Sequence, residues 1–125
     1  VAAHSVQLDL PPFTLIGATT KLGSIASPLR DRFGHIAKFQ FYEENEMQQI
    51  VERTAKILQI NISKIASKKI SLASRSTPRI SNRIVRQLRD FAHADNRNMI
   101  CENICKIGFK ALGIDDLGLD EQDRE

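Results

Sequence analysis

The segment Ser27-Pro28-Leu29-Arg30-Asp31-Arg32-Phe33 sets two guanidinium groups on a sharply started helix. Pro28 suits the first helical position, Ser27 can cap it, and Leu29 and Phe33, one turn apart, can anchor its inner face. Arg30 and Arg32 are then held at defined angles, and the planar donor fork of arginine suits phosphate oxygens. Taken alone, the segment reads more simply as a surface helix with two solvated arginines.

A second candidate is Arg79, behind Thr77 and Pro78. Thr77 as cap and Pro78 at the first position put Arg79 in the first turn of a helix, where unpaired N–H groups and the dipole favour an anion. A basic residue there opposes the dipole, so a purely structural role is uncomfortable. The plainer alternative is a solvated Arg79, or one paired with Asp90 or another carboxylate. Arg83, Arg86 and Arg89 continue the basic face, and no aromatic residue interleaves to stack on bases. Thr19 and Thr20 follow a compact apolar run, the place where ligands bind in open α/β sheets, and either hydroxyl could orient a water or touch a phosphate.

Cys101 and Cys105 share a helix face, but no nearby Cys or His pair completes a zinc site. Reduced, half-buried thiols are the better reading, with no metal. His4, His35 and His93 have no motif context. The sequence holds no G-x-x-x-x-G-K-[ST] loop and no apolar run ending in adjacent acids to hold Mg²⁺.

These residues need elements to hold them. Val6–Leu10 alternates and ends at Pro11-Pro12, as an edge strand or hairpin arm would. Phe13–Ala18 has the pattern of a strand buried on both faces, and Ile36–Tyr42 that of a one-sided strand. With the Ser27–Phe33 helix between them this is a βαβ crossover, too small for a stable sheet by itself. After Tyr42 the period becomes helical. A first helix starts near Glu43 and buries Met47, Ile50, Val51, Thr54, Ala55 and Leu58, its acidic start suiting the dipole. Ser63 can cap a second, carrying Ile65, Ala66, Ile70, Leu72 and Ala73. The third starts at Thr77-Pro78 and buries Ile80, Ile84, Leu88, Phe91 and Ala92. Asp95–Asn98 reads as a turn, and a fourth helix runs from about Cys101 to Leu112, stopping at Gly113.

Composition agrees with this division. The chain has 125 residues, 42% apolar and 26% charged, with no Trp, so its core must be aliphatic. The net charge of +3 allows a phosphate-rich partner without requiring one. No run approaches the roughly 18 apolar residues of a membrane span, and Val-Ala-Ala-His-Ser is no signal peptide. The expected location is the cytoplasm.

Three motifs in order (Gly17-Ala18-Thr19-Thr20, Ser27 to Gly34, and Ser76-Thr77-Pro78-Arg79-Ile80-Ser81-Asn82-Arg83 followed by Arg89-Asp90-Phe91) closely resemble the RuvB family. These are bacterial AAA+ motors that drive branch migration of Holliday junctions. The resemblance extends to Leu10-Pro11-Pro12-Phe13-Thr14 and the Asp120–Glu125 tail. It implies an α/β part followed by an all-α part. Residues 1–42 would be the C-terminal portion of an AAA+ P-loop NTPase sheet domain and 43–117 a small four-helix lid domain. Residues 118–125 would be a linker toward a winged-helix domain.

Carried over by position, the resemblance implies that Thr20 is sensor 1, with Thr19 the adjacent possibility. Arg32 would be the arginine finger reaching ATP in a neighbouring subunit, with Arg30 as its companion. Arg79 would be sensor 2, touching ATP of its own subunit, and Pro78 would shape that helix start. The cofactor would be ATP, its Mg held outside this chain, and the isolated chain would not hydrolyse it. The implied partners are Holliday-junction DNA, RuvA and a homohexamer of the full-length protein, in recombination, DNA repair and the SOS response. Ser76 stands where the family commonly has glycine, Ser81 where alanine is common, and Cys101 where Ser or Thr often caps the last helix. Lys21-Leu22 and His35 also depart from the usual pattern. Two other readings stay open: a clamp-loader or replication-initiator AAA+ fragment, and a non-catalytic helical adaptor using the Arg79–Arg89 face to bind an acidic partner or nucleic acid.

Overall fold

The computed structural model describes residues 4–115. The expected end of the lid at Leu117 and the linker at 118–125 lie outside the described residues. The chain divides into two compact units, Val1–Lys38 and Phe39–Glu125.

The first unit departs from the strand expectations. Its described residues contain only a 3-10 turn, Leu22–Ser24, and a short helix α1, Ser27–Arg30. Neither Val6–Leu10, Phe13–Ala18 nor Ile36–Tyr42 forms a strand. A strand exists only when a neighbour accepts its ladder bonds, and these segments have no such neighbour among the described residues. Their apolar side chains consequently face solvent, Phe13 at 67% and Ile16 at 89% exposure.

Helix α1 is also shorter than expected. Its cap is Ala26, whose carbonyl accepts from the N–H groups of Leu29 and Arg30 at 3.0 Å each. The Ser27 hydroxyl instead donates to Asp31 Oδ2 at 3.4 Å. After Arg30 the chain tightens into i to i−3 bonds, Arg32 N to Leu29 O and Phe33 N to Arg30 O, both 3.2 Å. One turn of helix is below the length that sustains itself, which explains the early end. The Phe33 ring packs over Gly17, where an added Cβ would stand 3.8 Å from it.

The second unit contains α2 (Glu44–Ile57), β1 (Asn61–Ile62), α3 (Lys64–Ala73), α4 (Pro78–Ala94), β2 (Met99–Ile100) and α5 (Glu102–Leu112). Local signals bound these helices. The Glu43 N–H donates to Glu46 Oε2 at 2.9 Å, closing the first turn of α2. Ser63 Oγ accepts from Ala66 N at 3.2 Å at the start of α3. Pro78 opens α4, and Gly113, at φ 66°, ends α5 in the left-handed region that glycine tolerates. The parallel pair β1–β2, with Asn61 opposite Met99 and Ile62 opposite Ile100, falls partly where only a connection was expected.

Helix α2 packs on α3 and α4, and α4 packs on α5. Val51, Ile70, Ile84, Leu88, Ile100 and Ile104 form the centre of the core. On α3 the buried face is rotated from the expected one: Ile65 and Leu72 are exposed, while Ser67 and Ser71 are buried. Both serines return their hydroxyls to the preceding turn, Ser67 to Lys64 O at 3.0 Å and Ser71 to Lys68 O at 2.8 Å. This lets them occupy core positions without an orphaned polar group. At the α4–α5 crossing, Gly108 leaves room for the Leu88 side chain, which a Cβ would overlap.

Candidate functional site

In the first unit, backbone bonds brace the turn that carries the two arginines. Arg30 closes α1 and is half-buried, whereas Arg32, on the following tight turn, is exposed. Neither guanidinium has a carboxylate partner among the described residues. A fully ionised group on a held backbone, unpaired among the described residues, is suited to pair with an external anion. The threonine pair also separates. Thr19 Oγ1 accepts from Lys21 N at 3.0 Å. The Thr20 hydroxyl makes no such bond and is exposed.

In the second unit, Pro78 is half-buried and Arg79 exposed at the start of α4. Thr77 occupies the cap position, but its hydroxyl donates backward to Arg75 O at 3.3 Å. No side-chain oxygen therefore caps the first turn, which also contains no acidic residue. That leaves the positive end of the helix and a guanidinium together, with no anion to neutralise them among the described residues. The expected alternative, Arg79 paired with Asp90, does not occur: Arg89 holds the Asp90 carboxylate through Nε at 3.0 Å and Nη2 at 2.9 Å.

The approach to Arg79 is strained. Arg75 and Ser76 adopt φ 46° and 56°, two consecutive non-glycine residues in the left-handed region. Each costs on the order of 1–2 kcal/mol. Beyond Arg79, Thr54 on α2 donates to Asn82 Oδ1 at 2.7 Å, and Ser81 Oγ donates to Pro78 O at 2.9 Å. The Thr54–Asn82 bond ties α4 to α2 and so helps set the face on which Arg79 emerges, whereas the Ser81 bond stays within α4. The reading of the sequence assigned Asn82 no role and counted Thr54 as core; the one available signal was a polar residue repeated on an otherwise apolar stripe.

The two cysteines are chemically unequal. Cys101 stands at the cap position of α5 without a side-chain cap bond; the nearby backbone N–H of Ile104 holds its thiol below the usual pKa against the opposing effect of burial, helped by the Asn103 N–H and the Arg97 side chain. The Arg97 donor stands 3.7 Å from the sulfur. Burial pushes Cys105 up to about 12, so it stays protonated. Neither is disulfide-bonded. No described helix is long and apolar enough to cross a membrane.

Comparison with known proteins covers both units. Residues 1–39 match the family model of the Holliday junction DNA helicase RuvB P-loop domain, and residues 42–115 that of the RuvB AAA lid domain. The Holliday junction branch migration complex subunit RuvB of Phytoplasma mali (strain AT) is 50% identical over 119 residues, 95% of this chain and 36% of that protein. The structure of the Thermotoga maritima RuvB Holliday junction branch migration motor aligns with a TM-score of 0.84 at 42% identity, over 90% of this chain and 38% of that one. A point mutant of the same Thermotoga protein aligns at 0.87 and 40% identity, over 96% of this chain and 40% of that one. The chain thus spans little more than a third of the length of these relatives.

Proposed function

The chain belongs to the RuvB family, carrying the end of its P-loop domain and its helical lid, and from that premise we propose that it serves an ATP-dependent motor of Holliday-junction branch migration. The clamp-loader and adaptor readings give way to it. Residues 1–42 belong to the large domain and 43–117 to the lid. The exposed Phe13 and Ile16 are covered by further strands of the P-loop domain outside this sequence.

The residues present fit a nucleoside triphosphate bound at an interface. Arg32 and Arg79 are exposed cations without a carboxylate partner among the described residues. ATP supplies the phosphoryl group whose transfer drives the motor; its phosphate cradle and Mg²⁺ ligands lie outside this sequence. Arg32 offers its guanidinium to the γ-phosphate held by a neighbouring copy, where such a finger contributes about 10³–10⁵ in rate. Arg79, with the uncapped start of α4 and Pro78 shaping it, contacts nucleotide in its own subunit. Thr20, with its hydroxyl uncommitted, is the better sensor 1 candidate than Thr19. Occupancy of these groups shifts the population of lid states, which is how nucleotide state becomes mechanical state. The proposed assembly is a homohexamer on junction DNA with RuvA, in the cytoplasm, in recombination and SOS-linked repair.

The unpaired, braced Arg32 carries this reading. In a chimera placing this chain within the Thermotoga RuvB motor, Arg32→Ala lowers kcat for ATP about 10³-fold or more and leaves ATP binding nearly unchanged. Retained kcat sinks the finger assignment.

A further inference from the structure

Helix α4 carries more positive charge than the nucleotide reading uses. Its buried side holds Ser81, Ile84, Val85, Leu88 and Ala92. On the opposite side, Arg79, Arg83 and Arg86 follow one another at i, i+4 and i+7, which aligns them along one exposed stripe. Asp90 is the acid on that stripe, and Arg89 already holds its carboxylate. Arg83 and Arg86 make no hydrogen bond or ion pair among the described residues. Two always-ionised side chains, about 4.5 Å apart along the helix axis, thus stand unneutralised on a rigid element.

We propose that Arg83 and Arg86 form a contact site for the phosphate backbone of double-stranded DNA. Three features of the face select this occupant. Its residues are Arg79, Arg83, Arg86, Asp90 and His93, with no apolar side chain among them, whereas a protein interface or a membrane-lying helix needs an apolar centre. It has no aromatic platform either, which argues against single-stranded nucleic acid gripped by stacking. The guanidinium forks match phosphate oxygens, the contacts by which proteins hold duplex DNA independently of sequence. The choice of DNA rests on the motor reading above, but the site needs neither bound nucleotide nor the finger role of Arg32. The contact carries no base specificity, so it would hold or guide the duplex whatever its sequence.

The test uses the 125-residue chain, without nucleotide, and a fluorescent duplex of about 30 base pairs, read by anisotropy between about 50 and 200 mM KCl. Binding should weaken linearly on a double-logarithmic plot, and Arg83→Ala with Arg86→Ala should reduce the magnitude of the slope by about 2, each lost phosphate contact removing about 0.9. The double Arg→Lys variant keeps the charge and should keep the slope, which separates electrostatic contact from a folding effect. Unchanged α-helical circular dichroism confirms that the alanine variant is folded. Equal slopes for the wild-type and double-alanine chains, or no binding by the wild-type chain, overturns the proposal. Binding only to an acidic protein surface does so too. Loss of the Arg32 effect on ATP hydrolysis would leave the DNA result untouched, so the two readings fail separately.

Discussion

The two units of this chain treat the same kinds of residue in opposite ways. In the second, apolar residues at helical spacing meet one another: Val51, Ile84, Leu88 and Ile104 are no more than 1% exposed. In the first, the runs around Phe13 and Ile16 are as apolar but remain open to solvent. The difference is in where the partners come from. A helix completes its backbone bonds within itself and needs only a neighbour for its stripe, which four helices in one unit supply to each other. A strand needs a neighbour even for its backbone. The lid-like unit is therefore a structure in its own right, and the first unit is a scaffold for Thr20, Arg30 and Arg32 awaiting the sheet that the proposed reading places around it.

This contrast has consequences for stability. Leu88→Ala should destabilise the second unit by about 2–5 kcal/mol, since it removes a fully enclosed side chain. Ile16→Ala, in the first, should change stability by no more than about 0.5 kcal/mol. Urea denaturation followed by circular dichroism measures both, and comparable effects would break the distinction between the units. Gly108→Val forces a branched side chain against Leu88 at the α4–α5 crossing and should cost about 1–3 kcal/mol in the same assay. A neutral result would mean that the crossing is looser than described. The smallest effect is expected at the strained loop before Arg79. Ser76→Gly relieves a left-handed φ of 56° and should stabilise by roughly 0.5–1 kcal/mol. A destabilising outcome would show that Ser76 makes a contribution beyond its backbone.

The same contrast explains what could be read in the residues alone. Helices α2, α4 and α5 were legible because period, acidic start, Pro78 and Gly113 agree with one another. The β1–β2 pair was not, since strands of two residues carry no periodicity to detect. On α3, Ser67 and Ser71 displaced Ile65 and Leu72 from the core, because Ser71 satisfies its hydroxyl on its own helix and Ser67 does so there and with Gln48 and Glu52 of α2. The strand patterns of the first unit describe a sidedness that only further strands can satisfy. At the site, Arg32, Arg79, Pro78 and Thr20 stood out through their motifs. The support of Asn82 by Thr54 did not, as it depends on a contact between positions 28 residues apart.

The central claim is that Arg32 acts on nucleotide held by a neighbouring copy. Its most direct test mixes two inactive chimeras of this chain within the Thermotoga motor, one carrying Arg32→Ala and the other a disabled phosphate cradle. Assembled together, they juxtapose an intact cradle from one subunit with an intact Arg32 from the next, and ATP hydrolysis should return well above that of either alone. A mixture that co-assembles yet stays as inactive as its components would contradict an arginine supplied in trans.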